Sequence, residues 1–349
     1  MRVLVTGGCG FIGSAVVRAL MARGVERVGV LDVLTYAANP ATLAGLEGRN
    51  DYHFFRADVR DRAAVQAAFE ALRPQAVLHL AAETHVDRSI DGPGIFIETN
   101  LGGTQVLLDV AEQFRRALTD AEAEAFRFIH VSTDEVFGAL EPDEPAFTEA
   151  SPYRPRSPYA ASKAGADHLA RAWHATYGLP VILTNCSNNY GPYQHPEKLI
   201  PMMALRGLSG EALPVYGDGL QVRDWLHVDD HAEALLVALE RGVVGQTYLV
   251  GARAERTNLA VVGGICQALD ALHPQAGPHA RRITHVQDRP GHDPRYAIDP
   301  SRIEAELGWR PTRAFDSGLE ATVRWYADHS EWWQPMLAGG ALARRGRGR

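Results

Sequence analysis

Short apolar runs alternate with longer helical patterns through the first half of the chain. The runs predict strands at Val3–Thr6, Arg27–Leu31, His53–Arg56, Ala76–Leu80, Phe128–Ser132 and Val181–Thr184. Between them, helices are expected near Ile12–Ala22, Arg62–Leu72, Ile95–Arg116 and Tyr159–Tyr177. Ala76-Val77-Leu78-His79-Leu80 is apolar almost throughout, as a strand covered on both faces requires. The alternation therefore predicts an α/β fold, a doubly wound parallel sheet with helices on both sides. After about Cys186, Pro and Gly become frequent, as in Asn189-Tyr190-Gly191-Pro192 and Tyr216-Gly217-Asp218-Gly219. A smaller, looser α/β lobe laid over the ends of the sheet is expected there.

Bulk composition narrows the classes. The chain has 349 residues, 46% hydrophobic and 22% charged, which suits a globular protein of two lobes. Its 35 basic and 42 acidic residues give a net charge of −7, which argues against a nucleic-acid partner. Cys9, Cys186 and Cys266 are widely spaced and form no CxxC pattern, so neither disulfides nor structural zinc are expected. No apolar run reaches the roughly 18 residues of a membrane span, and Met1-Arg2-Val3-Leu4-Val5 reads as a strand rather than a signal peptide. A cytoplasmic location without membrane contact follows as the expectation. Residues 338–349, rich in Gly, Ala and Arg, read as a disordered basic tail.

The first candidate site is the turn Thr6-Gly7-Gly8-Cys9-Gly10-Phe11-Ile12-Gly13 between the first strand and the first helix. It holds both Gly8-x-Gly10-x-x-Gly13 and Gly7-x-x-Gly10-x-x-Gly13. Glycines let the backbone turn tightly and approach a pyrophosphate, whose charge meets free N–H groups at the helix start. Such a pattern alone is weak, but Asp32 ends the second strand about 20 residues on, where a carboxylate would accept hydrogen bonds from an adenine ribose. It would also repel the extra phosphate of NADP. Residues 1–185 are thus expected to form an NAD-binding domain of Rossmann type, and 186–337 a substrate lobe whose chain partly weaves back to the first. Asp58-Val59 reads either as an adenine contact or as a surface cap of the next helix.

Two further constellations suggest chemistry. Ser157-Pro158-Tyr159-Ala160-Ala161-Ser162-Lys163 reads as a helix start with Ser157 as N-cap and Pro158 in the first turn. Tyr159 and Lys163 then lie on one face. A phenol is a poor base at neutral pH, but a nearby ammonium and a positive nicotinamide ring would favour the phenolate. Ser132-Thr133-Asp134-Glu135 sits at the carboxyl end of a buried strand, the usual ligand crevice of this fold. Two neighbouring carboxyls can eliminate water beside a newly formed ketone if their surroundings leave one ionised and the other protonated. The plainer reading is a pair of acids capping a loop.

With these motifs in view, the chain resembles the extended short-chain dehydrogenase/reductase family, and within it the nucleotide-sugar 4,6-dehydratases. The resemblance runs from about Met1 to Trp333 through TGGCGFIGS, HLAAETHVDRSI, VSTDEVFG, SPYAASKAGAD, NNYGPYQHPEKLIP, YGDGLQVRDWLHVDDH and DRPGHDPRYAID. It implies a lyase that converts dTDP-glucose to a 4-keto-6-deoxy sugar, with NAD tightly bound and regenerated in each cycle. Tyr159 would take the C4 hydroxyl proton, with Thr133 bonding that oxygen and Lys163 holding the ribose. Glu135 would take the C5 proton and Asp134 would protonate the departing C6 hydroxyl. The resemblance further implies cofactor contacts at Gly7, Gly10, Phe11, Ile12, Gly13, Asp32, Leu34, Thr35, Asp58, Val59, Leu80, Ala81, Ala82, Thr99, Tyr159, Lys163 and Asn189. Substrate contacts are implied at Thr84, Thr133, Asn188, Lys198, Leu199, Pro214, Tyr216, Arg223, Asn258, Arg289 and His292. Arg223 and Arg289 suit a pyrophosphate, although Arg223 adjoins Asp224 and could instead form a surface ion pair. The family also implies a homodimer, with Ile95–Arg116 and Tyr159–Tyr177 as the seam.

Other features are set aside. His227-x-x-x-His231 has metal-like spacing, but Asp230-x-x-Glu233 reads as a capping box that leaves His227 ahead of the helix, so no metal is expected. His79, His85 and His130 read as structural residues, and Trp332-Trp333 as part of a helix docked on the core. The rival functions are a nucleotide-sugar 4-epimerase or decarboxylase and a non-catalytic NAD-binding sensor, and, within the dehydratases, a UDP-sugar 4,6-dehydratase. Asp134 with Glu135 argues against the first two, and Tyr159 with Lys163 against the third.

Overall fold

The computed structural model describes residues 1–288 and 291–337; Arg289 and the basic tail lie outside the described residues. Each expected apolar run becomes a strand: β1 (Arg2–Thr6), β2 (Arg27–Asp32), β3 (Tyr52–Arg56), β4 (Ala76–His79), β5 (Arg127–Thr133) and β6 (Val181–Cys186). The later part of the chain adds β7 (Asn188–Tyr190), β8 (Leu213–Tyr216), β9 (Val222–His227), β10 (Thr247–Val250), β11 (Glu255–Thr257) and β12 (Ile283–Val286). A seven-stranded sheet runs in the order β10-β6-β5-β4-β1-β2-β3. All of its pairings are parallel.

Both faces are covered, which explains the apolar strands. On one face, Val16, Val17 and Leu20 of the helix Phe11–Ala22 share a core with Leu235, Leu236 and Leu239 of the helix Val228–Arg241. On the other, Val65 and Phe69 of Arg62–Leu72 pack with Leu107, Leu108 and Ala111 of Thr104–Arg116. Burying each such side chain contributes about 1.5–3 kcal/mol, which holds the helices on the two faces of the sheet. The second lobe has its own core around the helices Leu199–Leu208, Asn258–Leu272 and Phe315–Asp328. Trp332 is buried in it, and Trp333 Nε1 donates to the Tyr326 carbonyl at 2.8 Å, so the tryptophan pair docks the last helix on this core.

Three local readings change. The expected helix Ile95–Arg116 is interrupted: a π-helical stretch covers Ile97–Gly103 before the α-helix Thr104–Arg116. Its wider turns carry Asn100, whose amide receives the Glu83 N–H and donates to the Ser162 hydroxyl. At the other end, His227 itself caps the helix Val228–Arg241 by accepting the Asp229 N–H, whereas Asp230 lies inside the first turn and binds Thr312 and Arg313. The capping box is therefore absent, because Asp230 ties the helix to another segment. Finally, β10 gave no sequence signal strong enough to stand out. It is only 4 residues long and borders the sheet through β6.

Candidate active site

Parallel strands leave a sheet at one common edge, so the turns after β1, β2, β3, β4, β5 and β6 frame a single cleft of about 380 Å³. The first turn is built from backbone. Gly7 has φ +70°, and a Cβ there would stand 2.8 Å from the Ala81 backbone beyond β4. A Cβ on Gly13 would lie 2.1 Å from the Gly7 carbonyl oxygen. Side chains are thus excluded, and the start of the helix, with Gly10 as a cap that has no side chain, presents its N–H groups to the cleft.

Asp32 anchors the opposite wall. Its carboxylate accepts the Cys9 N–H at 2.9 Å and the Leu34 N–H at 2.8 Å, while burial raises its pKa. Gly7, Gly10, Phe11, Ile12, Gly13, Thr35, Asp58, Val59, Leu80, Ala81, Ala82, Thr99 and Asn189 line the same cleft. Leu34 does not; it packs against the core of the sheet. Asp58 pairs with Arg60, and the cap of the following helix is Asp61, which accepts from Ala63 and Ala64.

Tyr159 and Lys163 enter from the helix Pro158–Tyr177, capped by Ser157 through the Ala160 N–H with Pro158 in its first turn. Lys163 is buried, and its ammonium donates to the Val131 carbonyl at 2.8 Å. Burial lowers its pKa against the opposing pull of Asp167. For Tyr159, burial first and the charge of Glu135 second raise the pKa well above the usual phenol value. The protein alone therefore holds a neutral phenol.

The acidic corner closes the cleft where β5 ends. Thr133 Oγ1 accepts the Glu135 N–H at 3.3 Å and donates to Asp134 at 3.2 Å. Asp134 is 2% exposed, and its Oδ2 has no hydrogen-bond partner. Burial, then the neighbouring charges of Glu135 and Asp224, push its pKa well above the carboxylate range. Glu135 is half-buried on the cleft wall. Asp134 is suited to give a proton, and Glu135 sits beside it where an acceptor is needed.

The expected substrate contacts fall into separate groups. Thr84, Asn188 and Lys198 line the cleft, and Lys198 Nζ reaches the Thr84 carbonyl at 3.4 Å. Leu199 begins the next helix. Pro214 lies on β8, away from the cleft wall, and Tyr216 ends that strand with its hydroxyl 3.3 Å from Asp87. His292 bonds Asp288 at 2.7 Å, and Asn258 reaches Gln221, which in turn bonds Asp288. Arg223 is buried: it lies over the Tyr296 ring and donates to the Asp293 carbonyl at 2.9 Å, while Asp224 accepts backbone N–H groups of Ala252 and Ala254. An exposed Arg223–Asp224 pair is therefore not what the strand carries. Glu83, Ser187, His195 and Glu197 also line the cleft. They had no spacing signal, because the chain brings them in from separate turns.

His79 bridges Thr6 and Thr104, and His130 bonds Asp167, as structural residues do. His85 occupies the N-cap position of the helix Val86–Asp91, with its ring 3.8 Å from Glu197. Among the described residues, no helix is long and apolar enough to cross a membrane.

Comparison with known proteins agrees with this geometry. Residues 4–322 match the family described as GDP-mannose 4,6 dehydratase. The dTDP-glucose 4,6-dehydratase of Neisseria meningitidis serogroup B is 52% identical, covering 100% of this chain and 99% of its own. The crystal structure of DesIV, a dTDP-glucose 4,6-dehydratase from Streptomyces venezuelae with NAD and TYD bound, superposes with a TM-score of 0.88 at 46% identity, covering 96% of this chain and 100% of its own. A Thermus thermophilus UDP-glucose 4-epimerase complexed with NAD reaches a TM-score of 0.83 at 33% identity, over 94% of this chain and 100% of its own. The chain belongs to the nucleotide-sugar 4,6-dehydratase family, within the extended short-chain dehydrogenases/reductases.

Proposed function

We propose that this protein is an NAD-dependent dTDP-glucose 4,6-dehydratase that forms dTDP-4-keto-6-deoxyglucose for deoxysugar synthesis. The observation that carries this reading is the meeting of Tyr159, Asp134 and Glu135 on one cleft, with Asp134 starved of hydrogen-bond donors. An epimerase needs only the tyrosine side of that arrangement. The glycine turn fits a dinucleotide, since it leaves helix N–H groups free where any side chain would collide, and Asp32 retains lone pairs for ribose hydroxyls. Bound there, NAD supplies the acceptor and later the donor of hydride, together with a positive ring close to Tyr159.

The residues divide the proton work. Tyr159 takes the C4 hydroxyl proton, with Thr133 steadying the oxygen and Lys163 holding the ribose. Glu135 removes the C5 proton made acidic by the C4 ketone, and Asp134 protonates the C6 hydroxyl as water leaves. Thr84, Asn188, Lys198, Leu199, Pro214, Tyr216, Arg223, Asn258, Arg289 and His292 contact the nucleotide sugar, with Arg223 and Arg289 suited to its pyrophosphate. The three cysteines are free and buried, which suits a reducing cytoplasm. Ile95 and Ile97, 40% and 45% exposed, lie at the start of the proposed dimer seam; light scattering should give twice the chain mass.

The deciding experiment supplies purified protein with dTDP-[4-²H]glucose and no added NAD. A 4-keto-6-deoxy product with deuterium at C6 is the expected result. Recovery of a C4 epimer, or of unchanged sugar, overturns the reading.

A further inference from the structure

Beneath the proposed active site, one turn further along the helix from Lys163, Asp167 is sealed from solvent with 0% of its side chain exposed. It is surrounded by donors. His130 Nε2 donates to it at 3.0 Å, the Ser132 hydroxyl at 2.8 Å, the Tyr153 hydroxyl at 2.8 Å and Asn185 Nδ2 at 3.3 Å. Asn185 Nδ2 also donates to the Thr133 carbonyl at 3.0 Å. One carboxylate thus ties the helix bearing Tyr159 and Lys163 to the ends of β5 and β6.

We propose that Asp167 is a positioning residue for the dehydratase reaction: it clamps the strand end that carries Thr133 and provides the buried counter-charge of Lys163. This rests on the function proposed above. The clamp acts through geometry. Thr133 and Tyr159 come from different elements, and their separation is set where Ser132 and Asn185 meet Asp167.

The counter-charge acts through the groups around Lys163. On its own helix these are Tyr159 and Asp167. From β4 and β5, His79 and His130 face it, both held neutral by burial; from the end of β6 comes Cys186, whose thiol burial pushes up to about 12. Asp167 is therefore the nearby group that is anionic at neutral pH. Around Asp167 itself stand His130, Tyr153, Lys163 and Arg171, the last donating to the Tyr153 hydroxyl at 2.9 Å. Burial works against its carboxylate, but the hydrogen bond from His130, the charge of Lys163 and the bond from Ser132 prevail and hold its pKa below the ordinary value. Burial alone would drive Lys163 toward its neutral form, and the anion opposes this.

The test compares wild type with Asp167→Asn, which keeps the shape and removes the charge, by kcat and KM for dTDP-glucose across pH. The expected result is a kcat lowered about tenfold to a hundredfold with KM within about threefold. The alkaline limb of kcat should also move to lower pH by about one unit, as Lys163 loses its proton more easily. A purely structural role predicts lower stability with the limb unmoved. Should Asp167→Asn fail to fold, Tyr153→Phe removes one donor from the carboxylate and raises its pKa. Its kcat should then fall more at the acidic end than at pH 8, and an equal loss at every pH counts against the proposal. A wild-type enzyme that forms no keto sugar overturns both this and the function. An active wild type with an unmoved limb in Asp167→Asn overturns the positioning role alone.

Discussion

Asp134 and Asp167 are both shut away from water at the same edge of the sheet, yet they are driven to opposite charge states. Asp167 gathers four donors and a cation and stays a carboxylate. Asp134 has the Thr133 hydroxyl on one oxygen and nothing on the other, with Glu135 and Asp224 adding negative charge nearby. Burial opposes the charge of both: it prevails at Asp134 and is outweighed at Asp167, where hydrogen-bond donors and a cation are supplied. One aspartate is thereby fit to hold structure, and the other to release a proton.

The largest effect that could break this contrast is on activity. Asp134→Asn keeps the side chain's shape but removes the transferable proton, and kcat for keto-sugar formation should fall about 10²- to 10⁴-fold. Glu135→Gln should lose a similar amount, because it removes the base assigned to the C5 proton. A loss of less than tenfold in Asp134→Asn, measured by keto-sugar absorbance, would show that another group gives the proton.

Stability should separate the two residues next. The folded pKa of Asp167 is depressed, so its contribution is present above the unfolded value near about 4 and is lost as pH falls through the folded value. Asp167→Asn should therefore cost about 3 kcal/mol at pH 7, and the gap to wild type should close on acidification. Asp134 has the reverse sign. Its folded pKa is raised, so the stability of the protonated form is full below about pH 4 and is lost as pH rises through the folded value. Asp134→Asn avoids that loss and should be more stable than wild type by about 1 kcal/mol at pH 8, with no gain below about pH 4. Denaturant melts at both pH values check the crossing.

The smallest effect concerns Cys186, a third buried acid, which lies opposite Thr133 at the end of β6. Burial pushes its thiol up to about 12. It should stay unreactive toward a soluble disulfide reagent at pH 8 until the protein unfolds. Rapid labelling of the native enzyme would mean that this corner is open to water.

What the sequence made legible follows from how local each feature is. The glycine turn and Asp32 are set by backbone geometry over one βα unit, so spacing alone placed them on the cleft. Tyr159 and Lys163 depend only on helical periodicity, and Ser157 and Pro158 mark the start of that helix. Asp134 and Glu135 were visible as a pair, but which one is starved of donors depends on what packs around them. Asp167 escaped notice because its partners His130, Ser132, Tyr153 and Asn185 come from other segments. Likewise β10 is recognisable only by its pairing with β6, and the π-helical stretch only by the tertiary bonds of Asn100.

The most direct measurement is an infrared difference spectrum between the wild-type enzyme and Asp134→Asn at pH 8. A protonated-carboxyl carbonyl stretch present in wild type and missing from the variant is the predicted result. If the difference shows only carboxylate bands, Asp134 is ionised in the folded enzyme, and a buried acid kept neutral for want of donors is not what this corner contains.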